Sequence, residues 1–155
     1  MGELTTEIHP GSFRDPSGFI FRNRGKIYRL VNESYRANYD LLKASGLYEK
    51  LTKSGHLISH AEHPPKRFRF HDANAWKVLE PEQVAMVSYP YEWCFSQLKA
   101  AALLTLTIQK EALQCGMSLK DASAFNVQFH QGRPVFIDTL SFEKYSAGEP
   151  WIAYG

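Results

Sequence analysis

The residues of this sequence with the most chemical potential lie in one stretch, from Asp121 to Asp138. Asp121 is followed by Asn126 in a D-x-x-x-x-N pattern, then by Val127-Gln128-Phe129-His130, Gln131-Gly132-Arg133-Pro134 and Val135-Phe136-Ile137-Asp138. Two short β-rich runs flanking a Gly-Pro turn predict a hairpin. Folded about Gly132, such a hairpin sets Asn126 opposite Asp138 with Cβ atoms roughly 4.5 to 5.5 Å apart. Asp121, in the loop leaving the preceding helix, reaches the same end. Two carboxylates and an amide oxygen at one spot form a hard, oxygen-rich donor set of the kind Mg2+ accepts, with water or nucleotide phosphate filling the remaining positions. The plainer alternative is that these Asp and Asn residues punctuate a loop and a hairpin, as they commonly do.

Several elements must hold that stretch in place. Residues 95–115 contain neither Gly nor Pro and are apolar almost all round over 100–106, which predicts a buried helix stopped by Gly116. Further upstream, the runs 19–21 and 27–31 flank a polar loop with Gly25 and predict a β-hairpin. Asn32 stands where a helix cap belongs. Tyr35, Tyr39 and Leu42 then fall on one helical face, which Gly46 interrupts before Leu47, Tyr48 and Leu51 continue it. Residues 56–62, 76–79 and 84–87 read as strands, with Pro64-Pro65 forcing an extended loop between the first two. The resulting class is α+β: an irregular arm over 1–17, a β-rich small lobe with one helix over 18–94, and a buried helix, loop and hairpin over 95–155. The apolar tail from Trp151 to Gly155 has no helix stop and no polar end, so the chain is expected to continue into a further domain.

Composition sets outer bounds. A chain of 155 residues, 44% hydrophobic and 22% charged, is an ordinary globular domain. Its net charge of +2 is too small to argue for a nucleic-acid or anionic-membrane partner. Cys94 and Cys115 form no C-x-x-C pair and read as free buried thiols. With no signal-like n-region and no apolar run near the ~20 residues that span a bilayer, a cytoplasmic setting is expected.

The order helix, D-x-x-x-x-N, strand, turn, strand, D resembles the catalytic core of the protein-kinase-like phosphotransferases, including the aminoglycoside and choline kinase branch. That resemblance implies a kinase-like fragment that binds Mg2+ and ATP, with Asp121 as catalytic base toward the acceptor hydroxyl and Asn126 and Asp138 as metal ligands. It also implies a phosphate-facing cation from the small lobe, for which Arg29, or else Lys26, is the candidate. The sequence departs from the family pattern at several points: it has no G-x-G-x-x-G and no V-A-I-K, Leu119 stands where His is usual, and Asp138-Thr139-Leu140 replaces D-F-G. Both a phosphotransferase and a nucleotide-binding module without turnover fit these departures.

A second resemblance covers nearly the whole chain. Pro16-Ser17-Gly18-Phe19, the run from Ser88 to Cys94, Ser118-Leu119-Lys120-Asp121-Ala122 and the run from Ile137 to Glu143 are similar to the N-terminal region of bacterial nodulation-type or SAM-dependent methyltransferase proteins. It implies a C-terminal methyltransferase domain in the same chain as partner. SAM would belong to that domain, since no glycine-rich G-x-G turn occurs here. The module itself would then bind a nucleotide or small-molecule substrate, or present a substrate to the methyltransferase without catalysis of its own.

Three other patterns carry weaker signals. His56, His60, Glu62 and His63 suggest zinc, but along a strand His56 and His60 lie some 13 Å apart by the ~3.3 Å rise per residue. Lys66-Arg67-Phe68-Arg69-Phe70 alternates cations with aromatics, as some single-strand binders do, yet no other basic cluster supports it. The aromatic run from Ser88 to Trp93 fits a packed linker better than a pocket wall.

Overall fold

A computed structural model of the chain describes residues 7–8, 15–68 and 73–152. Expectations for the remainder of the N-terminal arm, for Arg69 and Phe70, and for residues 153–155 lie outside the described residues. The fold is α+β and divides into two compact units, one of residues 1–37 with 59–83 and one of 38–58 with 84–155.

The first unit is an antiparallel sheet in the order β1 (Glu7–Ile8), β2 (Gly18–Asn23), β3 (Lys26–Asn32), β5 (Ala75–Pro81), β4 (His60–His63). Glu7–Ile8 thus makes a short edge strand where an irregular arm was expected, pairing with Arg22 and Phe21. The expected hairpin of β2 and β3 is tighter than its polar loop suggested: Asn23 pairs with Lys26, leaving Arg24 at φ 49° and Gly25 at φ 78° as a two-residue turn. Both central residues at positive φ is the type I′ geometry, whose twist matches that of the strands. Gly18 starts β2 against β3 so closely that a Cβ there would lie 1.9 Å from the Leu30 carbonyl oxygen. One face of the sheet carries the core of Phe21, Tyr28, Leu30, Val78 and Phe68. Phe21 stacks on Tyr28 at 5.5 Å, and Phe68 meets Phe21 edge-on at 5.4 Å. Phe68, from the 3-10 turn Pro65–Phe68, is therefore a core residue and not a stacking platform for bases.

Two strand expectations fail here for identifiable reasons. The run 56–62 starts pairing only at His60, because His56 and Leu57 bond instead to the backbone of Phe136 or bridge to it in the second unit. Residues 84–87 form no strand: the Gln83 side chain ties off β5 by bonding Ile27 N at 2.9 Å, Ile27 O at 3.1 Å and Pro81 O at 2.7 Å. Beyond that clasp, Met86 and Val87 are exposed.

The second unit is built around α3 (Phe95–Gln114), which ends at Gly116 with φ 70°. Its core combines Ala101, Leu104, Ile108 and Ala112 with Leu42 of α1 (Arg36–Ala44), with Leu47 and Leu51 of α2 (Leu47–Lys53), and with Phe136 and Phe142. Gly46, at φ 76°, makes the predicted break between α1 and α2. The apolar face of 38–58 contributes Leu42, Leu47 and Leu51 to this core, so that stretch belongs to the second unit, whereas the sequence pattern groups it with the β-rich lobe. Asn32 occupies the cap position before the first helical turn, but its side chain donates to Pro16 O at 3.0 Å and caps nothing. The expected all-round burial of α3 also fails, since Leu98, Leu103, Leu106 and Leu113 stay exposed on the side away from the core. Of the two free cysteines, Cys94 is exposed and Cys115 only half-buried, against the expectation of two buried thiols. Among the described residues no helix is long and apolar enough to cross a membrane.

Candidate functional site

The loop bearing Asp121 is placed by a buried amide. Gln109 of α3 donates from Nε2 to Ser118 Oγ at 3.0 Å and accepts the Leu119 backbone N–H at 2.8 Å, which fixes β6 (Met117–Leu119) against the helix. A buried amide with both ends satisfied specifies geometry, because leaving either end unpaired costs about 1 to 3 kcal/mol. The strand pairs antiparallel with β9 (Phe142–Lys144), and the next residue, Lys120, donates its backbone N–H to Ser141 O at 2.8 Å. Leu119, at the position where His is usual in the kinase-like pattern, is a core residue at 1% exposure.

The predicted second hairpin exists, as β7 (Val127–His130) and β8 (Arg133–Phe136), but its register differs by one residue from expectation. His130 pairs with Arg133 across a two-residue turn of Gln131 at φ 51° and Gly132 at φ 77°, again type I′. Val127 therefore faces Phe136, and Asn126 faces Ile137, whose N–H donates to Asn126 O at 2.8 Å. Asn126 and Asp138 are not cross-strand partners.

They are nonetheless brought to one place by the turn that follows. Asp138 is the N-cap of the 3-10 turn Thr139–Ser141, its Oδ1 accepting the Leu140 N–H at 3.1 Å. This short turn carries Ser141 back, fully buried, so that its hydroxyl donates to Asp138 Oδ2 at 2.7 Å and accepts from Asn126 Nδ2 at 3.3 Å. One hydroxyl thus joins the two residues proposed as metal ligands. Sequence reasoning missed Ser141; the signal available was a hydroxyl three residues after an Asp, the spacing at which a capping turn closes on itself.

Asp121 is exposed, and its Oδ1 accepts the Ser123 N–H at 2.9 Å in a local Asx turn. Its neighbour Lys120 is bonded to Ser141, so the Asp121 loop leaves from the same turn that gathers Asn126 and Asp138. The donor chemistry at that turn suits a hard cation. The Asn126 amide spends an N–H on Ser141, which leaves its carbonyl oxygen as the acceptor end, and an ionised carboxylate such as that of Asp138 is acceptor-only with about four lone-pair sites. Among the described residues no group of three or more His, Cys, Asp or Glu side chains is arranged to hold a metal, which bears on the histidine cluster and not on a site with an amide ligand.

In the first unit, Arg29 sits mid-strand on β3 with its side chain largely buried and Nη2 paired to Asp15 Oδ2 at 3.0 Å. The alternative cation, Lys26, pairs with Glu80 at 2.8 Å, and His63 Nε2 meets the other Glu80 oxygen at 2.8 Å. The hydrogen bonds from Lys26 and then His63 hold the Glu80 carboxyl below its ordinary range, and the same contact raises Lys26. His63 also bonds Arg67 at 2.7 Å, so it belongs to a surface charge network.

The aromatic run splits by role. Trp93 is buried edge-on to Phe129 at 5.2 Å and donates from Nε1 to Ser88 Oγ at 2.9 Å. Tyr89 and Tyr91 stack on each other at 5.4 Å and face solvent. Gln128, which no sequence pattern marks, is buried on β7 and holds Ser88 at both backbone atoms, accepting from its N–H and donating to its carbonyl oxygen at 2.9 Å each.

No protein-family model matches the chain. Nodulation protein NoeA of Rhizobium meliloti (strain 1021) is 37% identical over 144 residues, which cover 93% of this chain and 30% of NoeA. The chain thus spans under a third of the length of that relative. The solved structure of vaccinia related kinase 3 matches over 92% of this chain and 48% of its own, with a TM-score of 0.50 and 8% identity. At that identity the likeness is one of fold: the chain has a kinase-like α+β fold.

Proposed function

We propose that this chain is a kinase-like module that binds a Mg-nucleotide, ATP in the first instance, within a longer cytoplasmic protein of the SAM-dependent methyltransferase type. The observation that carries the reading is the convergence of Asn126 and Asp138 on Ser141 within a kinase-like fold. Asn126 and Asp138 would hold Mg2+, which when bound offsets phosphate charge. Asp121, exposed and one residue from the Ser141 tie, would orient an acceptor hydroxyl and take its proton. Arg29, whose Nη2 pairs with Asp15 in the first unit, is the candidate phosphate cation on the strength of the sequence resemblance.

Calorimetry with Mg-ATP tests this. Heat is expected from the wild type and none from Asp138→Asn, which keeps an oxygen for the Leu140 N–H while removing the charge. Silence of the wild type toward Mg-ATP would sink the reading. Asp121→Asn separates its two versions: loss of phosphate transfer with Mg-ATP binding retained marks a phosphotransferase, whereas no transfer in the wild type marks a binding module. SAM is expected to give no heat with this chain.

A second reading has its own observation. The exposed leucines of α3, with Phe95 at 78% exposure, favour a non-catalytic module that docks on or presents substrate to the methyltransferase domain. Silence toward both Mg-ATP and SAM favours it.

A further inference from the structure

We infer that Ser141 is a positioning residue for the divalent cation: its hydroxyl sets which atom of Asn126 and which face of Asp138 are presented to the metal. The inference rests on the Mg-nucleotide reading and goes beyond it, since Ser141 is neither ligand nor base there.

A hydroxyl has one proton and two lone pairs. The single proton of Ser141 goes to Asp138 Oδ2 at 2.7 Å, a distance typical of a charge-assisted bond. Only acceptor capacity is left for Asn126, which must therefore offer its NH2 group, at 3.3 Å. The amide cannot turn over without placing its carbonyl against an oxygen that has no second proton to give. Asn126 Oδ1 is thereby fixed as the end of the amide turned from Ser141, the acceptor atom a hard cation needs. On the other side, the Ser141 proton and the Leu140 N–H hold one carboxylate oxygen each and lock the rotation of the Asp138 carboxylate.

Ser141 is itself immobilised. It is fully buried, its N–H donates to Asp138 O at 3.2 Å, and its carbonyl accepts the Lys120 N–H at 2.8 Å. Groups that orient metal ligands in this way typically carry about 10-fold to 100-fold in metal affinity.

The test is a titration with Mn2+, the paramagnetic stand-in for Mg2+, read by electron paramagnetic resonance on the chain with and without a non-hydrolysable ATP analogue. Wild type, Ser141→Ala and Ser141→Thr are compared, with thermal unfolding in parallel. Ser141→Ala is expected to weaken Mn2+ by about 10-fold or more while leaving metal-free nucleotide binding unchanged, and Ser141→Thr, which keeps the hydroxyl, to restore most of the affinity. If the threonine methyl prevents folding, the alanine arm decides alone. Equal Mn2+ affinity in wild type and Ser141→Ala, with or without a drop in Tm, overturns the role of Ser141 and leaves the nucleotide site standing. Absence of Mn2+ and nucleotide binding by the wild type overturns both.

Discussion

The two hairpins of this chain close with the same turn and differ in what the turn controls. Both use an X-Gly pair at positive φ, Arg24-Gly25 in β2–β3 and Gln131-Gly132 in β7–β8. In the first, a tighter loop than the polar residues suggested only lengthens the strands, and the sheet around it absorbs the difference. In the second, the same tightening changes the partner of Asn126 from Asp138 to Ile137. A one-residue shift flips alternate side chains between faces, so this hairpin could not have built the site by cross-strand pairing. The 3-10 turn after it joins Asn126 and Asp138 instead, through Ser141.

The comparison can be broken most severely at Gly18. A Cβ 1.9 Å from the Leu30 carbonyl cannot be accommodated without separating β2 from β3, so Gly18→Ala is expected to lose on the order of 3 kcal/mol or more in urea unfolding. Any Mn2+ binding by the refolded fraction should be as in wild type, because the hydroxyl bridge lies in the second unit.

Gly132→Ala and Gly25→Ala probe the turns themselves. Neither added Cβ meets an atom within 4 Å, so the cost is conformational, roughly 1 to 2 kcal/mol for an L residue at left-handed φ. Similar stability losses are expected, but only Gly132→Ala should weaken Mn2+ or Mg-ATP, because only that turn sets the frame of Asn126. Equal effects on binding would show that register in β7–β8 does not govern the site.

A smaller effect is expected from Glu80. Its folded-state pKa lies below the ordinary 4.5 because of Lys26 and His63, so the contribution is present above about pH 4.5 and is lost as pH falls through the depressed value. The stability gap between wild type and Glu80→Gln, measured by unfolding across pH 2.5 to 6, should close on the acid side; a gap that persists at the lowest pH contradicts this assignment. Solvent screening keeps the gap small.

The smallest change is a gain. Gln131→Asn supplies the residue type that type I′ turns favour and is expected to stabilise by on the order of 0.5 kcal/mol, with Arg24→Asn as the matched control in the other hairpin. Urea midpoints for the pair would show whether both turns respond alike.

What the sequence determined by itself was the content of the elements. The Tyr35, Tyr39, Leu42 period, the Gly46 break, the Gly-free run ending at Gly116 and both hairpins are local, and local sterics and side-chain periodicity read out in the chain without help from distant residues. Three things were settled only by tertiary contacts. Residues 38–58 joined the second unit because their apolar face completes the α3 core; residues 84–87 lost their strand because Gln83 clasps Ile27; and α3 kept one apolar side exposed because its core partners cover a single face. The candidate site shows both limits at once. Asp121, Asn126 and Asp138 were legible as residue types at telling spacings, but Ser141 was not, because a buried hydroxyl acquires its meaning from the partners that its turn brings within hydrogen-bonding reach.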